Sequence, residues 1–188
     1  LVINRVKNDS KLEMQILESQ EEIRITFLSM RETLAQTLKF DELRGLCLVL
    51  GSGSLLLSYF EHGLMKFCEE IPIGTYRLVD ALGHSNITIE QLIETLESQD
   101  IRQRLFESVG ITKDTPLSLI AMGASVRTLV GADPADDQMI QMSAGELGKL
   151  AQHAMNSDLS KLSTELKLNE GAAVSIKHCG TILAWFRD

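Results

Sequence analysis

A mainly α-helical bundle with a long N-terminal helix is what this sequence predicts. Three observations carry it. Apolar side chains recur at three- and four-residue steps through the first forty residues. Two capping boxes, Thr88 with Gln91 and Ser143 with Glu146, mark helix starts. Aromatic residues are 5% of the chain while hydrophobic residues are 44%, so the core must come from Leu, Ile, Val, Met and Ala, a mix that favours helices.

Residues 9–39 read as one helix, with its stripe at Leu12, Ile16, Ile23, Phe27, Met30, Leu34 and Leu38. At ~1.5 Å per residue it would be roughly 45 Å long. That exceeds what a small domain covers, so Leu12, Ile16, Ile23, Phe27 and Met30 are candidate oligomerisation residues. Asp41 reads as the N-cap of a helix over 41–50, and residues 54–66 as another, with His62-Gly63 a kink or stop. Pro72 belongs at a boundary, since proline lacks the N–H that a helix interior needs.

"TYRLVDALGH" (75–84) predicts a short helix closed by Gly83. The helix opened by Thr88 runs through Leu92 and Leu96, with Ile87 and Leu92 as its staple, and a further turn carries Ile101, Leu105 and Phe106. Thr115-Pro116 reads as a helix start and Gly123 as its stop. Residues 131–138 form a polar loop, and "SDLSKLSTELKL" is another short helix. "AAVSIKHCGTILAWF" (172–186) is β-branched and aromatic, which predicts two short strands, a small C-terminal hairpin. A boundary near 107–115 divides a helical unit, 1–107, from a looser one, 108–188.

The net charge of −8 is concentrated in residues 45–110, where nine acidic side chains face only Lys66, Arg77, Arg102 and Arg104. No basic stripe suits nucleic acid or an anionic membrane. No apolar run reaches the ~20 residues of a membrane span. Cys47, Cys68 and Cys179 fit neither a zinc site nor a disulfide framework, and an intracellular, cytoplasmic location follows. The chain starts with Leu1, so an excised fragment is expected, and the tripeptide glycosylation matches at Asn8 and Asn86 are set aside.

Chemistry-bearing patterns are sparse. "LVLGSGS" (48–54) sets an apolar run before a Gly-Ser-Gly turn, as a phosphate-cradling loop does. It lacks the third glycine of a dinucleotide site, since residue 56 is Leu, and it lacks the P-loop lysine. An interhelical turn is the plainer reading. His62 with Cys68, and His178 beside Cys179, lack an oxyanion partner. Asp133, Asp136 and Asp137 do not follow the EF-hand order. No catalytic residue, metal site or cofactor is expected.

Residues 69–105 resemble the closing helices of death domains: Pro72 leads in, Leu78, Ala81 and Leu82 end a short helix, Thr88, Leu92 and Leu96 form the next, and Ile101 begins the last. The resemblance covers at most 24–106 and lacks that family's early tryptophan. The C-terminal segment is similar to an immunoglobulin-like strand pattern, with Cys179 and Trp185 too close for that fold's pairing. The pairing of these two modules would suit a paracaspase-type adaptor.

The death-domain resemblance implies a non-enzymatic protein–protein interaction module, an adaptor in immune or cell-death signalling with protein partners that include copies of itself. Its charged face would be Glu90, Glu94, Glu97, Asp100, Arg102, Arg104 and Glu107. The alternatives are a viral or bacterial scaffold or polymerase cofactor assembled through the N-terminal helix, and an enzyme with a site at Gly51–Ser54 or around Cys68.

Overall fold

The computed structural model describes residues 2–75, 88–133 and 139–187. A four-stranded mixed sheet organises them, and this corrects the expectation of a mainly α-helical bundle. Its strands are β1 (Arg44–Leu50), β2 (Leu55–Glu61), β3 (Leu64–Ile71) and β4 (Ser118–Met122), in spatial order β3-β2-β1-β4. The β1–β2 and β2–β3 pairs are antiparallel, whereas β4 runs parallel to β1. The helices are α1 (Val2–Ser10), α2 (Ser19–Ala35), α3 (Ile89–Ser98), α4 (Ile101–Val109), α5 (Ala124–Leu129), α6 (Ala144–Asn156), α7 (Leu159–Leu166) and α8 (Glu170–Arg187).

The helices expected over 41–50 and 54–66 are strands. "RGLCLVL" and "LLLSYF" are buried on both faces, so they carry unbroken apolar runs without alternation. Such runs do not separate a buried strand from a helix by period. His62-Gly63, read as a kink, is the two-residue hairpin turn joining β2 to β3. Both residues have positive φ, 51° and 72°, as the turn matching strand twist requires.

The expected 9–39 helix is two helices. It breaks over residues 11–18, where Lys11 takes φ 60°. Within α2, Ile23, Phe27, Met30 and Leu34 are buried against the sheet, so three of the five oligomerisation candidates belong to the chain's own core. Leu12 and Ile16 are exposed, at 63% and 77%.

The C-terminal hairpin is instead α8, an 18-residue helix. Eleven of its residues are buried, from Ala173 to Trp185. A helix wrapped on all sides shows no amphipathic stripe, and β-branched residues then mislead. Asn169 Oδ1 accepts from the Ala172 N–H at 2.8 Å to open it. Its packing on α6 is close, because a Cβ at Gly180 would stand 3.0 Å from that of Ala154.

Two layers cover the sheet. On one face α2 sets Phe27, Met30 and Leu34 against Cys47, Phe60 and Phe40, with the Phe40 and Phe60 rings stacked at 4.7 Å. On the other, Leu46, Leu48, Leu50, Leu55, Leu57 and Tyr59 meet α3, α4, α5 and α8 in one cluster. The boundary expected near 107–115 falls between α4 and β4, and the parallel β1–β4 pairing joins its two sides in one sheet. Thr115-Pro116 leads into β4 rather than a helix, and Gly123 opens α5 rather than closing a helix. Both capping boxes are formed, with both reciprocal hydrogen bonds, and Pro72 does stand at the end of β3. The helix expected over 75–84, the Ile87 half of the staple, Asp136 and Asp137 lie outside the described residues, save for Thr75 at its start. No described helix is long and apolar enough to cross a membrane.

Candidate functional site: a glycine loop at the end of the parallel strand pair

β1 and β4 point the same way, so their C-terminal ends form one rim of the sheet. At that rim three connections meet. The first is the loop Gly51-Ser52-Gly53-Ser54 between β1 and β2, closed by a Gly51 N–H to Ser54 O bond of 3.0 Å. The second is the segment after β3. Thr75 donates its N–H to Gly51 O at 3.1 Å, and its hydroxyl donates to the same oxygen at 3.4 Å. Gly74 lies so close to the first loop that a Cβ there would stand 2.1 Å from Ser52 O and 2.4 Å from Gly53 C. The third is the turn after β4, where Gly123 takes φ +131° and a Cβ would stand 2.4 Å from Leu50 O. Only glycine fits such an approach of backbone to backbone.

Ile73, Gly74 and Thr75 are buried, whereas Gly51, Ser52 and Gly53 are exposed. The Ser52 and Gly53 amides donate to no backbone carbonyl among the described residues, and a Cβ on Gly53 would meet nothing within 4 Å. An exposed, closed loop whose amides have no backbone acceptor among the described residues can accept an anion through its backbone. Open α/β sheets place ligands at this rim, outside the carboxyl ends of their strands.

Carboxylates stand at the same end. Glu70 on β3 pairs with Leu56 on β2, one residue from the loop, and it accepts a hydrogen bond from Ser19 Oγ at the start of α2. The first turn of α2 therefore lies beside the rim, with Glu21 and Glu22 in it. Helical period puts Glu22 in line with Thr26, Ser29 and Thr33. Those three line a groove of about 980 Å³ that runs past Met122 and Gly123. Glu21 falls on the side away from the sheet. The exposed glycine loop and the acidic first turn of α2 thus share one end of the sheet; backbone donors and a carboxylate are the two kinds of group a phosphate-ester hydrolysis uses.

The loop is backed from inside by His178 on α8, which is 4% exposed. Its Nδ1 lies 3.1 Å from Thr75 O. Burial holds its pKa below the usual histidine value, the hydrogen bond to Thr75 opposing the shift and Lys177 adding to it. Cys179 beside it is fully buried, and burial pushes its thiol up to about 12. Cys47 is likewise pushed up to about 12 by burial, with Ser58 opposing. Neither is a nucleophile. His62 faces Asp41 O at 3.3 Å, in the β2–β3 turn at the opposite end of the strands from the loop.

Of the expected interaction residues, Glu90, Glu94 and Glu97 are exposed along α3, whereas the two arginines are held within the chain. Arg102 lies 4.0 Å over the Trp185 ring and donates to Trp185 O. Arg104 grips Glu69 with two bonds of 2.5 and 3.2 Å. Asp100 is in the left-handed turn between α3 and α4. Glu90, Glu94, Glu97 and Glu107 lie along α3 and α4, Glu107 accepting from Gln103. The Gly51–Ser54 pattern was visible in sequence. Its partner Gly74-Thr75 and the turn at Gly123 carried no sequence signal, because their role depends on strand register.

No family model matches the chain, and no curated protein matches its sequence. Solved structures do. An Aquifex aeolicus Ppx/GppA phosphatase, at 16% identity, matches with TM-score 0.67 over 97% of this chain and 60% of its own. An exopolyphosphatase from Cytophaga hutchinsonii, at 12% identity, matches with TM-score 0.72 over 96% of this chain and 60% of its own. The chain thus shares its fold with these proteins and spans about 60% of their length. The α/β fold shared with these proteins is not the helical bundle of a death domain, and the resemblance stated above is overturned. So is the non-enzymatic adaptor or scaffold drawn from it, because the chain has the fold of a Ppx/GppA phosphatase and an exopolyphosphatase and not that of a helical-bundle adaptor.

Proposed function

We propose that this chain carries the phosphate-binding part of a phosphatase of the exopolyphosphatase type. The observation that supports it is the Gly51–Ser54 loop, backed by Gly74-Thr75 at the carboxyl end of β1 and β4, in a fold shared with exopolyphosphatases. The amides of Ser52 and Gly53 would bind the oxygens of a terminal phosphoryl group. Backbone donors fixed in advance stabilise the charge that develops on those oxygens without reorganising. Glu22 would take the proton from the attacking water. The bond broken is the phosphoanhydride P–O, the bond formed is P–OH, and the shortened chain leaves with the charge.

Linear polyphosphate is the substrate to test, with released phosphate measured in the presence and absence of magnesium and binding measured by calorimetry. The reading expects saturable binding and phosphate release. It expects Glu22→Gln to lose release and keep binding. A folded protein that binds neither polyphosphate nor pyrophosphate would overturn it.

A further inference from the structure

We propose that His178 is the positioning residue of the phosphate loop, holding it from the core side through Thr75. This deepens the phosphate-site reading and rests on it. The geometry is a chain of four hydrogen bonds. His178 Nδ1 faces Thr75 O at 3.1 Å. A carbonyl only accepts, so Nδ1 carries the hydrogen. Thr75 in turn gives both its N–H and its hydroxyl to Gly51 O. Gly51 begins the loop and closes it on Ser54.

The burial gradient runs the same way. His178 and Thr75 are 4% and 3% exposed, while Ser52 and Gly53 at the outer end are exposed. A ring held in α8, eleven of whose residues are buried, therefore sets the height at which two exposed amides stand. A polar ring between Lys177 and Cys179 contributes nothing to apolar packing that Leu would not contribute better. Among the described residues its polar contact is the Thr75 carbonyl. Without the donor, Thr75 O is left in the interior without it, and the 72–75 segment relaxes outward, taking Gly74 off Ser52.

The test compares His178→Leu with His178→Asn, whose amide can donate from the place of Nδ1. Two readouts are made on the full chain: amide hydrogen exchange at Thr75 and across residues 51–54 without ligand, and polyphosphate affinity by calorimetry. The Leu variant is expected to keep its helical content, to exchange the Thr75 amide about tenfold faster, and to bind polyphosphate about tenfold more weakly, the scale of one lost hydrogen bond. The Asn variant is expected to restore both.

Unchanged exchange at Thr75 and 51–54 in the Leu variant overturns the proposal, even if the melting temperature falls, because that fall alone marks an ordinary core residue. Faster exchange in a wild-type background that binds no polyphosphate sinks the phosphate reading and leaves the anchoring of the loop standing. Faster exchange with unchanged affinity shows that the loop's position does not govern binding, and overturns the proposal too. If the Leu variant does not fold, His178→Gln puts its amide at the place of Nε2 and removes the same bond within a polar side chain.

Discussion

Substituting Gly74 by Ala adds one methyl group where the structure has no room for it. The new Cβ would stand 2.1 Å from Ser52 O, 2.3 Å from Ser52 C and 2.4 Å from Gly53 C. All three are backbone atoms, so no side chain can swing aside. To reach the 3.4 Å of an ordinary contact, the 52–53 loop and the 73–75 segment must separate by about 1.3 Å. The Thr75 N–H to Gly51 O bond, 3.1 Å long, spans that same gap and does not survive the separation. Overpacking costs ~1–3 kcal/mol and a lost hydrogen bond ~1 kcal/mol, so the variant should be ~2–4 kcal/mol less stable. Urea unfolding followed by the single Trp185 measures it. Gly53→Ala is the control, because a Cβ there meets nothing within 4 Å; it should leave stability within ~0.5 kcal/mol of wild type. If the Gly51–Ser54 loop binds phosphate as proposed, a methyl group in that open space should weaken binding while stability holds. A Gly74→Ala protein as stable as wild type would refute the contact between the two loops.

Further predictions concern the frame around the site. Thr88→Ala removes the side-chain acceptor of the Gln91 N–H and should cost ~1 kcal/mol in thermal or urea unfolding. Phe60→Ala empties a fully buried position stacked on Phe40 and should cost ~3–5 kcal/mol. His178 has a folded pKa below its unfolded value near 6.5. Its contribution to stability is therefore complete above that unfolded value and is lost as pH falls through the folded one; the acid limb of a stability–pH curve should be shallower in His178→Asn. In native protein at pH 8, iodoacetamide should label Cys68 first. Cys47 and Cys179, whose thiols burial raises to about 12, should react only at the rate of unfolding.

Local signals in the sequence were read well where the residues act locally. Thr88 with Gln91 and Ser143 with Glu146 make their caps within four residues, and the structure forms both. Leu159–Leu166 is likewise the short helix its spacing announces. The sheet was not legible, because "GLCLVL" and "LLLSYF" gain their strand character from burial on two faces by elements far away in sequence. The same cause hid α8. Its valine, isoleucines, threonine and tryptophan are surrounded on all sides, so neither periodicity nor β-propensity describes them. At the site, Gly51–Ser54 showed its glycines but not its backing. What turns a flexible turn into a rigid rim is the register that brings Ile71 opposite Leu55, and with it Gly74 onto Ser52. The charged face of α3 and α4 follows from the death-domain resemblance, which needs helices where β1 and β2 are strands. Yet Arg102 and Arg104 are engaged with Trp185 and Glu69 of their own chain.

Calorimetric titration of linear polyphosphate into the wild-type chain and into Gly53→Ala tests the central claim most directly. The account predicts saturable binding to the wild type and a clear weakening in a variant that stays as stable as its parent. No saturable binding by the folded wild-type protein, or equal binding by both, would contradict a phosphate site at the Gly51–Ser54 loop.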